Sequence, residues 1–231
     1  MEESGIDMDM TDARFAEMAP EQLAALLCAR LCHDLVSPVA ALGAALSVLD
    51  DDDAADMRED ALDLVRESSK QAQAKLEFAR LAFGAGGSAP GVIDSLELKR
   101  LATGLFATVK PELVWNVDAP ALEKSVARLV LNLCILGIES APRGGTVTVD
   151  ATETAGGSRI RIVAEGPKAK IDPAHAAALE GVKPETGFDG RSIQPYYAGL
   201  IAHGAGGRAT ATMSEDRVEF VALAAPAAVA A

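Results

Sequence analysis

The sequence predicts an α plus α/β fold, in which a long helical hairpin precedes helices packed on one face of a mixed sheet. Residues 20–83 carry apolar side chains at helical spacing, and a glycine-rich stretch ends that pattern. The later segments alternate between helical and strand-like patterns, which is typical of a two-layer α/β domain. We therefore divide the chain into residues 1–18 as a flexible N-terminal tail, 19–84 as the helical hairpin, 85–91 as a linker and 92–226 as the α/β domain.

The first predicted helix begins at Pro20, a residue favoured in the first turn of a helix. The helix ends at the acidic run 50–53, because four like charges at a helix C-terminus oppose the helix dipole. Between these points the apolar residues recur at steps of three and four, which indicates one amphipathic face. This stripe consists of Leu23, Leu27, Leu31, Leu35, Val39, Leu42, Leu46 and Leu49.

The second predicted helix carries small and apolar residues on one side and ends before the glycine-rich linker. Two helices cannot enclose a core by themselves. A second copy of the chain would complete a four-helix bundle, so the sequence predicts an obligate homodimer. The side in question holds Met57, Ala61, Leu64, Val65, Ser68, Ala72, Leu76, Ala79 and Phe83.

The α/β domain is predicted to contain four helices and five strands. Asp94 is a good cap for a helix that runs to Phe106. The glycine-containing segments 142–145 and 156–157 are predicted turns. The remaining expected elements are a strand at 113–117, a helix at 121–140, strands at 146–153 and 159–164, short helices at 174–179 and 193–203, and a final hairpin at 208–213 and 217–223.

The composition is that of a folded, acidic protein. Of the 231 residues, 49% are hydrophobic and 24% are charged, and the formal net charge is −13. A polyanion repels phosphate groups, so we expect neither a nucleic-acid partner nor an anionic membrane surface. The acidic N-terminus is unlike a signal peptide, and no apolar run reaches the length of a membrane span. These features predict a cytoplasmic protein.

The segment ARLCHDLVSP, residues 29–38, combines a titratable pair with a proline inside a predicted helix. His33 lies about 200° around the helix axis from the stripe, so a core role is disfavoured and an inert surface role is the alternative. Asp34 can hold one ring nitrogen and leave the other nucleophilic. Arg30, one turn earlier, can offset the charge of an incoming phosphoryl group. Pro38 frees the carbonyl of residue 34 and is expected to bend the helix. Together these residues are typical of a site for phosphoryl transfer.

The three cysteines do not predict a metal site. Cys28 and Cys32 are one helical turn apart, but no further Cys or His at ligand spacing completes a four-ligand set. Together with Cys134 they are interpreted as small buried hydrophobic residues in a reducing compartment.

The string HDLVSP, followed by a second long helix, resembles the dimerisation and phosphotransfer region of two-component histidine kinases, which carries H-[ED]-x-x-x-P. The longer string ARLCHDLVSPVAALGAALSVLDDD is similar to the ChpT-type histidine phosphotransferases of alphaproteobacteria, and a weaker likeness extends over the rest of the chain. The resemblance implies that His33 receives phosphate from the receiver domain of a CckA-like hybrid kinase. It also implies that CtrA-like and CpdR-like response regulators accept this phosphate, and that any Mg²⁺ belongs to the receiver.

The α/β region resembles a kinase ATP-binding domain whose three nucleotide-binding boxes are damaged. In L-x-x-N-L-x-x-N-A, Asn132 survives, but the magnesium-holding asparagine falls on Leu136. In V-x-D-x-G-P-G, the adenine-reading Asp falls on Ala164 and the last glycine on Lys168. The glycine-rich third box falls on residues 187–195, where most glycines are replaced. This resemblance implies a degenerate histidine-kinase-ATPase-like domain that binds no cofactor.

The sequence therefore predicts a histidine phosphotransferase that acts through His33, Asp34, Arg30 and Ser37, without cofactor or metal. Ser37 stands where some kinases keep a water-positioning residue, so receiver dephosphorylation is a secondary expectation. Two alternatives remain open, an active ATP-dependent histidine kinase and a receiver-binding module that never carries phosphate. Exposed positions such as Arg66 and Lys70 are expected to contribute to receiver docking.

Overall fold

The computed structural model describes residues 15–84, 91–154 and 156–226. The predicted linker, residues 85–91, lies outside the described residues except for Gly91, and so does the predicted tail up to residue 14. The α plus α/β fold class is confirmed by the element order that follows.

The N-terminal part is a hairpin of two long antiparallel helices. Helix α1 spans Pro20–Leu49 and helix α2 spans Arg58–Ala82, and a 3-10 helix at Asp52–Met57 connects them. Pro20 begins α1, as predicted, and the acidic run separates the two helices. The Asp51 carboxylate caps the connecting turn by accepting a hydrogen bond from the N–H of Asp53 at 3.0 Å.

The α/β domain contains four helices and seven strands within the described residues. The short strands Val92–Asp94 and Ala121–Glu123 were not predicted, nor was the 3-10 helix of the hairpin, while the longer elements match their expected positions within a few residues. In chain order the elements are β1 Val92–Asp94, α3 Ser95–Phe106, β2 Glu112–Val117, β3 Ala121–Glu123, α4 Lys124–Ser140, β4 Thr146–Thr154, β5 Gly157–Glu165, α5 Pro173–Leu179, α6 Ile193–Gly204, β6 Arg208–Ser214 and β7 Arg217–Ala224.

The main sheet has five strands in the order β2-β4-β5-β7-β6. Strands β2 and β4 are parallel and the other neighbours are antiparallel, while β1 and β3 form a separate two-stranded ribbon. Alternate residues of β4 and β7 are buried beneath the helices, which gives the period of two expected for a sheet with one covered face. Helix α4 lies at the centre of this core, where Leu129, Leu131 and Leu133 are fully buried.

The open end of the hairpin packs into the α/β core. Phe78 and Ala82, near the end of α2, are buried in the same cluster as the α4 side chains. Leu23 and Leu27, near the start of α1, pack against that cluster. The two domains therefore share one hydrophobic core at this junction, while the rest of the hairpin extends away from it.

The apolar stripe of α1 is only partly covered within a single chain. The buried residues of α1 are Arg30, Pro38 and Ala45, none of which belongs to the predicted stripe. Val39 and Leu46, both in the predicted stripe, are 57% and 51% exposed. A single chain therefore leaves the part of this face around Val39 and Leu46 uncovered.

The prediction of a free tail is wrong for residues 15–18. The Phe15 ring lies 4.9 Å from the His203 ring and 5.9 Å from the Tyr196 ring, between centroids. The N–H of Ala16 donates to the carbonyl oxygen of Gly181 at 2.9 Å, and the Tyr196 hydroxyl donates to the carbonyl oxygen of Ala16 at 2.8 Å. An aromatic residue in an otherwise polar segment is the signal that could have indicated this docking.

Among the described helices, α1 is long and apolar enough to cross a membrane by length and composition alone, with a mean hydropathy of 1.5. One such helix is weak support for a membrane span, because core helices of globular proteins pass the same test. Here α2 packs along α1, and Arg30, His33 and Asp34 stand near the middle of α1.

Candidate functional site

His33 lies on the surface of α1 with its ring held from one side. Its side chain is 70% exposed, and the ring nitrogen Nδ1 is 3.2 Å from Oδ1 of Asp34. When Nδ1 carries the proton, it donates to the Asp34 carboxylate and leaves the lone pair of Nε2 free. The predicted orienting role of Asp34 agrees with this geometry, and an accessible, neutral nitrogen of this kind is a nucleophile.

Pro38 does not interrupt α1, but it leaves the carbonyl oxygen of Asp34 without its usual helical donor. A proline cannot donate to the carbonyl oxygen of residue i−4, which here is that of Asp34. The Lys75 ammonium group on α2 donates to this oxygen at 2.9 Å. Lys75 therefore fixes α2 against α1 beside His33. This role was not predicted, because nothing in the sequence pattern of α2 distinguishes this lysine from other surface lysines.

Arg30 does not face an incoming phosphoryl group, so its predicted role is wrong. Its side chain is only 8% exposed, its Nε donates to Oδ2 of Asp34 at 2.9 Å, and its Nη2 donates to Glu139 on α4. Burial alone would lower the pKa of Arg30, but the carboxylates of Glu139 and Asp34 outweigh burial and raise it. The guanidinium is therefore a structural cation between the hairpin and the α/β domain.

Ser37 and the two neighbouring cysteines are exposed on α1. Ser37 is one helical turn after His33 and lies near the same face. Cys28 and Cys32 are exposed, contrary to the prediction of burial, whereas Cys134 is buried. Burial raises the pKa of the Cys134 thiol to about 12. Among the residues that the structure describes, no group of three or more His, Cys, Asp or Glu side chains could hold a metal ion.

The surviving asparagine of the first nucleotide box is part of the core. Asn132 is fully buried, and its amide nitrogen donates to the carbonyl oxygens of Ala82 at 2.8 Å and Arg128 at 2.7 Å. Its oxygen accepts a hydrogen bond from Nε2 of Gln194 at 2.7 Å. Both amide protons and the oxygen are thus engaged, and they connect the end of α2 to α4 and α6.

The other two boxes are also occupied by structural contacts. Ala164 is fully buried in β5, where the box would have an adenine-reading aspartate. Lys168 has a backbone φ of 63°, and its N–H donates to the Asp216 carboxylate at 2.6 Å. In the third box the Asp189 carboxylate accepts hydrogen bonds from the N–H and hydroxyl of Ser192, which lower the pKa of Asp189. The Asp189–Ser192 hydrogen bonds therefore join two residues of the segment that precedes α6.

Glu139 is a second residue that the sequence analysis missed. It lies 109 positions after Arg30 in the chain, on a helix whose periodicity indicates only a core face. Its contact with Arg30 depends on how the hairpin sits against α4, which no local pattern encodes. Of the two exposed residues expected to contribute to docking, Arg66 is paired with Asp63 at 2.6 Å, and Lys70 is exposed on α2.

Comparisons with known proteins agree with this layout. The sequence profile described as the histidine phosphotransferase C-terminal domain matches residues 95–217. Protein phosphotransferase ChpT from Brucella abortus (strain 2308) is 36% identical over 200 residues, which cover 87% of this chain and 94% of that protein. A solved bacterial phosphotransferase has 33% identity and a TM-score of 0.80, and the match covers 90% of this chain and 98% of that one.

A more distant match is the Acinetobacter baumannii histidine kinase AdeS, with 13% identity and a TM-score of 0.47. The match covers 85% of this chain and 98% of the kinase chain, but this identity and TM-score are too low to support an inference. The profile and the curated relative together cover both the hairpin and the α/β domain. On this basis the chain belongs to the ChpT-type histidine phosphotransferase family and is a phosphotransferase.

Proposed function

We propose that this chain relays phosphate through His33, which receives a phosphoryl group from the receiver domain of a hybrid kinase and passes it to the receiver domains of response regulators. The observation that carries the proposal is the His33 ring, which is 70% exposed and has Nδ1 engaged by Asp34. CckA-like donors and CtrA-like and CpdR-like acceptors are the partners that the family resemblance favours. The expected site of this exchange is the cytoplasm.

The transfer step follows from the geometry of the ring. The Nε2 lone pair of His33 attacks the phosphorus of the aspartyl phosphate, the P–O bond breaks, and the receiver carboxylate leaves with its electron pair. The Nδ1 proton stays in its hydrogen bond to Asp34, whose negative charge stabilises the cationic ring. In the onward step a receiver carboxylate attacks the phosphorus, the P–N bond breaks, and its electrons return to Nε2. A Mg²⁺ ion bound by the receiver domain would supply charge neutralisation of the phosphoryl oxygens.

Ser37 is proposed to contact the phosphoryl group weakly. Its hydroxyl is exposed one turn from His33 and can donate one hydrogen bond. Net receiver dephosphorylation would require this hydroxyl to orient a water molecule. We assign that activity to reversal of the relay, because a single hydroxyl on a solvent-exposed helix face holds water loosely.

The α/β domain is proposed to work without ATP. The side chain of Asn132 is saturated by hydrogen bonds, and the positions of Leu136 and Ala164 carry neither the metal ligand nor the adenine acceptor of the boxes that they resemble. ATP with Mg²⁺ is therefore expected to leave the melting temperature unchanged. A rise in melting temperature together with labelling of His33 by ATP would instead support an active kinase.

The relay is proposed to act as a homodimer in which a second copy covers the exposed apolar face of the hairpin. Val39 and Leu46 are seven residues apart on α1, so they lie on one side of the helix. Nearer the α/β domain, an apolar groove of about 430 Å³ lies between α1 and α2 and is lined in part by Leu31, Leu76 and Phe83. The same face on a second chain supplies complementary side chains, as an isologous interface requires.

The test of the central proposal is phosphate transfer from a radiolabelled receiver domain to the full chain. Label is expected on the wild type and on His175→Ala, and it should be absent from His33→Ala. The chain has three histidines, so the two variants separate the proposed carrier from an unrelated one. Label on His33→Ala at the wild-type level would refute the assignment. Receiver binding without any label would indicate a non-catalytic binding module.

A further inference from the structure

A series of contacts runs from His33 to the α/β domain. The His33 Nδ1 lies 3.2 Å from one Asp34 oxygen, and Arg30 Nε donates to the other at 2.9 Å. The far side of the same guanidinium donates to Glu139, near the end of α4. The side chains of Asp34, Arg30 and Glu139 thus connect the exposed His33 ring to helix α4 of the α/β domain.

The burial of Arg30 makes this arrangement stiff. A guanidinium that is 8% exposed cannot exchange its carboxylate partners for water without a large cost, so it remains between Asp34 and Glu139. Asp34 is also held at its backbone, because Lys75 donates to its carbonyl oxygen. The position of the Asp34 carboxylate is therefore set from α2 and from α4, and not only by its own helix.

We propose that Glu139 is a positioning residue for phosphotransfer, through which the α/β domain keeps the Asp34 carboxylate available to His33. This inference rests on the proposed role of His33 as the phosphate carrier. The Arg30 guanidinium is shared between two carboxylates, so Asp34 gives it one oxygen and keeps the other for the imidazole. Glu139 itself touches no reacting atom and acts through Arg30 and Asp34.

Without the Glu139 carboxylate, the paired N–H donors of the Arg30 guanidinium would change their acceptors. With only one carboxylate left, Arg30 favours a bidentate pair with Asp34 and engages both of its oxygens. The Nδ1–H of His33 then competes with the guanidinium for the second Asp34 oxygen, so a larger fraction of rings carries the proton on Nε2 instead. In that tautomer Nε2 has no lone pair with which to attack phosphorus. Transfer slows even though His33 is present and exposed.

The decisive variant is Glu139→Gln, which keeps the shape of the side chain and an oxygen acceptor for Arg30 but removes the charge. Single-turnover transfer from a phosphorylated receiver is expected to fall about tenfold, less than the roughly hundredfold loss that a misplacement of about 1 Å can cause, because His33 itself stays in place. The ¹⁵N NMR signals of the His33 ring, identified by their loss in His33→Ala, should show less Nδ1–H tautomer. A purely structural role would lower stability without moving this tautomer signal.

Glu97→Gln is the matched control. The Glu97 side chain is 41% exposed and that of Glu139 is 38% exposed, and each pairs with an arginine, but Glu97 and Arg100 are remote from Asp34 in the hydrogen-bond network. Its transfer rate and tautomer signal are expected to match the wild type. Where Glu139→Gln does not fold, Glu139→Asp replaces it and is expected to show a smaller change in both measurements.

A double-mutant cycle tests the route of the effect. In an Asp34→Asn background, adding Glu139→Gln should not slow transfer further, because the proposed intermediary is already altered. Wild-type transfer rate and tautomer signal in Glu139→Gln, or full additivity in the double variant, would overturn the inference. If the wild type itself transfers no label to His33, the proposed function fails instead, so the two failures are distinguishable.

Discussion

Replacement of Asn132 by leucine is expected to destabilise the fold by about 3 kcal/mol and to leave phosphate transfer per folded molecule unchanged. The side chain makes three hydrogen bonds, to the carbonyl oxygens of Ala82 and Arg128 and from the amide of Gln194. In a working nucleotide site the same asparagine would be needed for activity and much less for stability. The variant therefore separates a structural role from a ligand-binding one.

The magnitude follows from what the substitution leaves behind. The carbonyl of Arg128 keeps its helical partner, so two buried groups lose a partner, the Ala82 carbonyl and the Gln194 amide. Each such loss costs about 1–3 kcal/mol, and the added apolar burial of leucine returns about 1 kcal/mol. The net loss of about 3 kcal/mol corresponds to a melting temperature lower by about 6–12 °C for a chain of this size.

Urea unfolding at one fixed protein concentration measures this change, since dimerisation would make stability concentration-dependent. The double variant Asn132→Leu/Gln194→Leu should recover part of the loss, because both hydrogen-bond partners become apolar. Removing Gln194 also removes its oxygen Oε1, a buried atom with no hydrogen-bond partner among the described residues. A single variant as stable as the wild type, or one that loses transfer while remaining folded, would refute the reasoning.

Three further outcomes are expected. The double variant Val39→Glu/Leu46→Glu should sediment at half the wild-type mass, because the added charges lie on the apolar face assigned to the second copy; an unchanged mass would rule out that face. Gly199→Ala should lower the free energy of unfolding by about 3 kcal/mol, since the added Cβ would lie 2.0 Å from the carbonyl oxygen of Leu179. Gly104→Ala should be neutral or stabilising, because the nearest atom to its added Cβ would be 4.0 Å away. Thermal melts measure both changes. Cys134, whose pKa is about 12, should resist alkylation at pH 8 and react once urea unfolds the chain, as counted by mass spectrometry.

Local patterns in the sequence were sufficient to predict the order of the longer elements and the His33–Asp34 pair, but not the short strands β1 and β3. The helical stripe, the acidic break and the strand alternation each depend on neighbouring residues, and so does the hydrogen bond between His33 and the residue that follows it. The stripe was predicted to lie in the core of a four-helix bundle completed by a second copy, and within one chain two of its residues, Val39 and Leu46, stay exposed. Periodicity shows that a face is apolar, but it does not distinguish the second helix of the same chain from another chain.

What the sequence did not show are the contacts between distant segments. Arg30 was expected to face the phosphoryl group because one helical turn separates it from His33, yet its actual partner is Glu139 on α4. Lys75 and Phe15 were missed for the same reason, since each acquires its role from an element more than forty residues away. Such contacts depend on how whole elements pack, which no window along one chain contains.

The buried amide of Asn132 has a consequence for how this protein meets its partners. It joins the end of α2 to two helices of the α/β domain, so the hairpin and the sheet domain are held together at this junction. A kinase must move its nucleotide to its histidine, which requires a loose junction between the two. The proposed relay uses no nucleotide and needs no such movement, so a receiver domain would meet a docking surface that is already assembled, and ordering the two domains would cost little entropy on association.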